Sequence, residues 1–338
     1  MSAMSNGSPA ARGTVEISVV APAYKCEDCI EELHRRLVAA LEPLVSSFEI
    51  VFVNDGCPAN SWDAIRAVAG RDPRVKAINL SRNFGQHYAI AAGVHHTCGN
   101  WVVVMDCDLQ DRPSEIPNLY RKALEGYDVV YALRRERQDR WDKRFLSWAF
   151  SLIYNFLSSI QIDPRACNFS IASRQVIDGY CGLKELNCSY HLLLRWLGFR
   201  TTYIEVEHSE RFSGKSAYDF GRGFLLAIES ITSQSNKPLV LSIQLGFLIS
   251  GAAVLAGLYY IARYLMHGIG VEGWTSVIVS IYFMGGLTLA TLGVLGLYLG
   301  KVFNEVKGRP LYVVKELINF ESSDNAEKSS AEISYAHH

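Results

Sequence analysis

An open α/β domain followed by a two-helix membrane hairpin is the architecture this sequence predicts, on three observations. Apolar runs alternate with stretches of helical spacing through the first 134 residues, the pattern of a parallel sheet with crossover helices. One short apolar run, Val102-Val-Val-Met105, delivers the acidic stretch Asp106-Cys-Asp-Leu-Gln-Asp111. Two later stretches, Leu239 to Tyr260 and Trp274 to Gly300, hold no charged residue.

The elements follow in chain order. Ile17 to Ala21 is an apolar strand ended by Pro22, and Cys29 to Leu41 places Ile30, Leu33, Leu37 and Leu41 on one helical face. Phe48 to Val53 is a second strand, broken by Asn54-Asp55-Gly56. A helix over Ser61 to Ala69, a strand over Val75 to Leu80, a small-residue helix over Gln86 to Thr97 and a strand over Trp101 to Met105 complete the repeat. Tyr127 to Leu133 is a further strand, followed by Arg134-Arg135. Phe145 to Ile160 is apolar nearly all round and flanked by Lys143 and Arg144, which suits a helix in the membrane interface.

In an open α/β sheet, ligands bind outside the carboxyl ends of the strands. The ends at Pro22-Ala-Tyr24, Asp55 and Asp106 to Asp108 are therefore expected along one edge. Two carboxylates one residue apart repel unless a cation sits between them or one is protonated. Mg²⁺ or Mn²⁺ satisfies both and bridges to substrate phosphates. A solvated acidic turn is the plain alternative for an isolated Asp-x-Asp. An EF-hand loop fits poorly, because Asp111 stands where its turn glycine belongs. No Gly-x-Gly-x-x-Gly follows the first strand, which argues against a dinucleotide site.

The two uncharged stretches each exceed the ~20 residues that cross a bilayer. Lys237 precedes the first, and Lys301, Lys307 and Arg309 follow the second. The positive-inside bias then puts both termini and the sheet domain in the cytoplasm. Expected boundaries are a disordered tail over 1–14, the catalytic-type domain over 15–235, two membrane helices over 236–300 and a cytoplasmic segment with a second tail over 301–338.

Composition agrees. The 338 residues are 49% hydrophobic with a formal net charge of -1, and the mean hydropathy of +0.08 is high for a purely soluble protein. A near-neutral chain is no candidate for binding nucleic acid. The segment Met1 to Gly13 is polar and small, unlike a secretion signal. The 8 cysteines then read most simply as reduced cytoplasmic thiols, with Cys26-x-x-Cys29 a coincidence rather than a zinc or redox motif.

Six features occur in order: Ala21-Pro-Ala-Tyr24, Val53-Asn-Asp-Gly56, Ser81-Arg-Asn-Phe-Gly85, Met105-Asp-Cys-Asp-Leu-Gln-Asp111, Arg211-Phe-Ser-Gly-Lys-Ser216 and, after the two apolar stretches, Glu305-Val-Lys-Gly-Arg-Pro310. This set, spanning Val15 to Val314, resembles the polyprenyl-phosphate glycosyltransferases of glycosyltransferase family two, the bacterial relatives of dolichol-phosphate mannose synthase. The resemblance implies a GT-A (Rossmann-like) fold. It also implies inverting transfer of a sugar from a nucleotide diphosphate to a lipid phosphate. A UDP-linked hexose, an undecaprenyl phosphate acceptor, the cytoplasmic face of a bacterial inner membrane and a product used in cell-envelope glycan (lipopolysaccharide-type) modification follow from the same likeness. Relatives often assemble through their membrane helices, so a homo-oligomer is compatible with it.

The resemblance also assigns roles. Asp106, Asp108 and Gln110 would hold the metal. Pro22, Tyr24, Glu27, Val53, Asp55, Cys107 and Arg134 would form the nucleotide-sugar site, with Tyr24 stacking on the base. Arg134, Arg211 and Lys215 would meet the acceptor phosphate, and Arg211 would share catalysis with Asp106 and Asp108. A phosphate monoester is already nearly dianionic at neutral pH, so positive charge matters more than a general base. Arg suits bidentate phosphate binding.

The chain departs from the family pattern in three places. The acid expected two residues after the tyrosine is Cys26, with Glu27 next along. Ala217 replaces a motif lysine, and Asn54 stands where many relatives have a first aspartate. Two other readings remain. A processive polysaccharide synthase would carry Gln-x-x-Arg-Trp, and Arg195-Trp196 are present but Leu192 takes the glutamine position. A non-catalytic membrane scaffold with this fold is the other. His87, His95, His96, His191 and His208 show no metal-ligand spacing.

Overall fold

Four strands, Ile17–Ala23 (β1), Phe48–Asn54 (β2), Val75–Leu80 (β3) and Trp101–Val104 (β4), lie parallel in the computed structural model, in the order β4-β1-β2-β3. The structure describes residues 15–134, 166–183, 185, 189–206, 232, 235–267 and 273–320. The helix expected over 145–160, together with Arg211 and Lys215, lies outside them.

These strands are buried on both faces, as the continuous apolar runs required. The helices between them are Glu27–Leu41 (α1), Ser61–Ala69 (α2) and Gln86–His95 (α3). α1 buries Cys29, Ile30, Leu33, Leu37 and Leu41 at helical spacing. Each such leucine is worth about 1.5–3 kcal/mol over an exposed one. α1 and α2 contribute to one apolar cluster and α3 to a second, so the sheet is covered on both faces. Gly93 lets α3 approach β1, where a Cβ would run into Val20.

Beyond β4 the sheet departs from the all-parallel expectation. A one-turn 3₁₀ segment and helix Ile116–Leu124 (α4) lead to Val129–Arg134 (β5). Ala166–Ser173 (β6) then inserts antiparallel between β4 and β5. Helices Arg174–Cys181 (α5) and Tyr190–Trp196 (α6) follow, and Thr201–Val206 (β7) pairs parallel to β5. At the other edge Val314–Ile318 (β8) pairs antiparallel to β3, giving the order β7-β5-β6-β4-β1-β2-β3-β8. β8 is tied down by Arg66 and Trp62 Nε1, which reach Glu316 at 3.0 and 3.2 Å. Asn319 adds hydrogen bonds to the Ala69 and Val75 carbonyls. The 301–338 segment therefore contributes a strand, where the sequence suggested only a segment and a tail.

One polar chain crosses this apolar sheet. Ser18 donates to Glu49 Oε1 at 2.5 Å, and Lys76 Nζ meets Glu49 Oε2 at 2.7 Å. Burial opposes the charge on Glu49, but Lys76, the Cys98 amide and Ser18 outweigh it and hold the carboxyl below its usual range.

The chain divides into two units: Met1–Asp139 with Ile162–Ser216 and Gly308–His338, and Arg140–Gln161 with Ala217–Lys307. In the second unit, helices Lys237–His267 (α7) and Trp274–Val306 (α8) contain candidate membrane spans of 23 and 30 residues, none of whose apolar windows is buried. Phe247 and Tyr282 are each 77% exposed, which water would penalise and lipid would not.

Candidate active site at the carboxyl edge of the sheet

Because β1 to β4 are parallel, their carboxyl ends share one edge. The order β4-β1-β2-β3 means the chain winds outward from β1 and then returns to its other side. The crevice between β1 and β4 is thus a topological switch point. A cleft of about 370 Å³ opens at this edge, lined by Pro22, Ala23, Tyr24, Asp55, Asn83, Gly85, Gln86, Asp106, Cys107 and Asp108.

Each strand end is locked before it reaches the cleft. Met105 N–H donates to the Val20 carbonyl at 3.1 Å, extending β4 to the acidic stretch. The Asp106 N–H donates to Asp111 Oδ2 at 3.1 Å, and its Oδ1 accepts from Gln86 Nε2 at 2.7 Å. Asp108 Oδ1 accepts the Gln110 N–H at 3.1 Å. The turn puts Leu109 at φ 62, a left-handed conformation uncommon for a residue with a Cβ.

Asp55 is 97% removed from solvent, being 3% exposed. Its two oxygens accept the amides of Phe84 and Gly85 at 2.8 and 2.9 Å, which shapes the loop that supplies Asn83, Gly85 and Gln86. Burial pushes its carboxyl up, against the pull of those two amides. Gly56, at φ +55, makes the approach feasible, since a Cβ there would collide with the Arg82–Asn83 backbone.

Tyr24 is 44% exposed at the cleft mouth, with Lys25 Nζ 5.5 Å from its ring centre. An exposed aromatic at a strand end is a ready stacking platform.

The structure brings together Pro22, Tyr24, Asp55, Asp106, Cys107 and Asp108 from the sequence-predicted set. Val53 and Glu27 stand apart. Val53 is wholly buried with Val20 and Ile78 beneath α3, because alternate side chains of β2 face the core. Glu27 sits in the first turn of α1, accepting Ser61 Oγ at 3.4 Å, and is not part of the lining. Gln110 follows the carboxylates, and Arg134 closes β5. Gln86 and Asp111 were missed as site residues, although both stand in or beside quoted motifs.

One expectation is corrected. Cys26, read as a reduced thiol, is bonded to Cys107. Spacing in sequence cannot show a bridge across 81 residues.

The donor set fits Mg²⁺ or Mn²⁺ held in part by a ligand. Among the described residues no three His, Cys, Asp or Glu side chains converge into an all-protein cage. Two carboxylates on an open edge leave coordination positions for phosphate oxygens and water.

A doubly wound sheet with paired carboxylates at its switch point is an arrangement suited to a ligand that brings phosphate oxygens to a divalent cation. The sequence profile of glycosyl transferase family 2 matches residues 18–178. An uncharacterized glycosyltransferase of Synechocystis sp. is 37% identical over 309 residues, 91% of this chain and 97% of its own. The SfII prophage-derived bactoprenol glucosyl transferase of Shigella flexneri is 34% identical, over 89% and 98%. The undecaprenyl-phosphate 4-deoxy-4-formamido-L-arabinose transferase of Shewanella sediminis is 33% identical, over 92% and 95%. The chain belongs to glycosyltransferase family two, has the GT-A type of fold and is a glycosyltransferase. That excludes the non-catalytic scaffold.

Proposed function

We propose that this enzyme transfers a sugar, on our reading a hexose from its UDP derivative, to a polyprenyl phosphate such as undecaprenyl phosphate. The observation that carries the proposal is the pairing of Asp106 and Asp108 on the cleft, in a chain whose later helices are apolar, unburied and long enough to cross a membrane. Full-length likeness to relatives named for bactoprenol and undecaprenyl phosphate supports the acceptor.

In this reading Tyr24 stacks on the base and the Pro22–Ala23 backbone flanks it. Asp55 holds the Phe84–Gly85 loop and retains acceptor capacity for a ribose hydroxyl, since a carboxylate offers about four acceptor sites. Asp106 and Asp108, with Gln110, hold Mg²⁺ or Mn²⁺, which supplies Lewis-acid stabilisation of the departing diphosphate. Gln86 holds the Asp106 carboxylate at the cleft, and Asp111 fixes the Asp106 backbone beneath it. The acceptor phosphate oxygen forms a bond to the anomeric carbon from the face opposite the diphosphate, whose bond to that carbon breaks, so the centre inverts. With its second pKa about 6, that phosphate needs no side-chain base. Arg134, Arg211 and Lys215 supply the positive charge that lets two anions approach.

The sheet domain lies on the cytoplasmic face of the inner membrane, held by α7 and α8, with the basic flanks inside. A homo-oligomer through those helices is compatible with this arrangement. The product serves cell-envelope glycan modification. The purified protein, offered a panel of radiolabelled nucleotide sugars with undecaprenyl phosphate, should carry label into the organic phase for one donor. Label that stays aqueous with every donor, in protein that still releases sugar to water, would exclude the lipid acceptor.

A further inference from the structure

Two loops face each other across the switch point, and one covalent bond joins them. Cys26, just after β1, is bonded to Cys107, just after β4, with Cα atoms 6.7 Å apart. Cys107 stands between Asp106 and Asp108 and lines the cleft. Cys26 is two residues from Tyr24, on the opposite wall. Both cysteines are nearly buried, 6% and 7% exposed. A non-glycine residue in the left-handed region lies close to each in sequence, Lys25 at φ 55 directly before Cys26 and Leu109 at φ 62 two residues after Cys107. Such residues persist only where their surroundings over-determine them. Two further thiols stand close. Cys57 Sγ accepts the Lys25 N–H at 3.1 Å and is half-exposed, and Cys29 is buried. Burial first, then Asp108, Asp28 and Glu27, push the Cys29 thiol up and keep it protonated.

We propose that Cys26 and Cys107 form a reversible thiol–disulfide pair that sets the stiffness of the cleft. Its effect on donor binding rests on the function proposed above; the bond itself does not. Oxidation proceeds by exchange with a small disulfide such as oxidised glutathione. The Cys26 thiolate attacks one sulfur, forming a mixed disulfide and releasing one glutathione. The Cys107 thiolate then attacks the Cys26 sulfur, forming the internal bond and releasing the second. Two protein thiols lose two electrons and their protons, and one small disulfide becomes two thiols. In the oxidised state the cleft stays open and its two walls hold a fixed spacing. Binding then has less loop ordering to offset, so a ligand touching both walls binds more tightly. Reduction frees the two walls from each other.

The test uses the full chain in detergent, after incubation with oxidised glutathione or with excess reduced dithiothreitol. Tandem mass spectrometry of the digest should assign a Cys26–Cys107 linkage in the first sample only, and Cys29→Ser should retain it. Linkage to Cys29 or Cys57 instead, or no linkage, overturns the pair. Hydrogen exchange should slow several-fold in both 24–28 and 106–110 on oxidation; equal exchange overturns the stiffening, without any variant that could misfold. Uridine diphosphate with Mn²⁺ should bind about threefold more tightly to the oxidised protein, and Cys26→Ser should abolish the difference. Equal or weaker affinity in the oxidised form overturns the effect on the cleft. Failure to bind uridine diphosphate in either state counts against the proposed donor alone, because linkage and exchange still decide the thiol pair.

Discussion

At the scale of single residues, function concentrates in carboxylates whose surroundings are already arranged. Asp106 is gripped through its amide by Asp111 and through its side chain by Gln86, so little reorganisation is left for ligand binding. Asp108→Asn keeps the shape and removes one charge. Activity should fall by at least about a hundredfold, the scale seen when one preorganised electrostatic group is lost. EDTA should do the same to the parent, and full turnover in EDTA would contradict metal dependence. Arg211→Ala should raise the acceptor KM and lower kcat, with Arg211→Lys recovering only part, because a point charge cannot replace a planar fork. Steady-state kinetics with varied undecaprenyl phosphate reads this. That the acidic motif and Tyr24 share one sheet edge was legible because parallel strands bring their carboxyl ends together, although Asp-x-Asp by itself also fits a solvated turn. Gln86 was not, since a glutamine opening a helix has no spacing signature. Cys26 and Cys107 were not, since a covalent contact across 81 residues depends on how β1 and β4 are placed.

At the scale of elements, β1 to β4 and α1 to α3 were marked within two residues: the strands by fully buried apolar runs, α1 and α2 by apolar residues on one face, and α3, which buries Ala89 to Val94 without a break, by its small residues. β6 was missed because Ala166-Cys-Asn-Phe-Ser-Ile-Ala-Ser173 mixes small and polar residues. β8 was missed because Val314-Lys-Glu-Leu-Ile318 is short and gains its meaning only from its partner β3. The polar chain through β1, β2 and β3 gives one prediction. Lys76→Met leaves Glu49 buried and charged, and should cost about 3–5 kcal/mol in chemical unfolding of the sheet unit. α6 gives another. His191 is lowered to about 4 by burial first, with His87 and Arg195 adding positive charge. Unfolded, it titrates near 6.5. Between those values the unfolded chain binds more protons. Its contribution is therefore complete above about pH 6.5 and is lost as pH falls toward 4. His191→Leu should flatten that limb of the stability profile, read by near-UV circular dichroism; an unchanged limb would remove His191 from the account.

At the scale of the whole molecule, the chain leaves the sheet unit for α7 and α8 and then supplies β8 to that unit's edge. If α7 and α8 span a membrane as proposed, both ends of the pair lie on the same side of it. An impermeant maleimide applied to intact cells should label Gly268→Cys, between the helices, and leave sheet-unit cysteines such as Cys188 unlabelled. Labelling of the sheet unit from outside would reverse the orientation. The central claim, that the cleft between β1 and β4 holds the nucleotide sugar for transfer, is tested most directly by photoaffinity mapping. The full chain is irradiated with 5-azido-UDP-glucose and Mn²⁺, digested and sequenced. The label should fall on the peptide containing Tyr24 and be displaced by UDP-glucose. It should be lost in EDTA and in Asp108→Asn. Label on the hollow lined by Trp101, Tyr127 and Arg174, or a Tyr24 label indifferent to Asp108→Asn, would contradict the account.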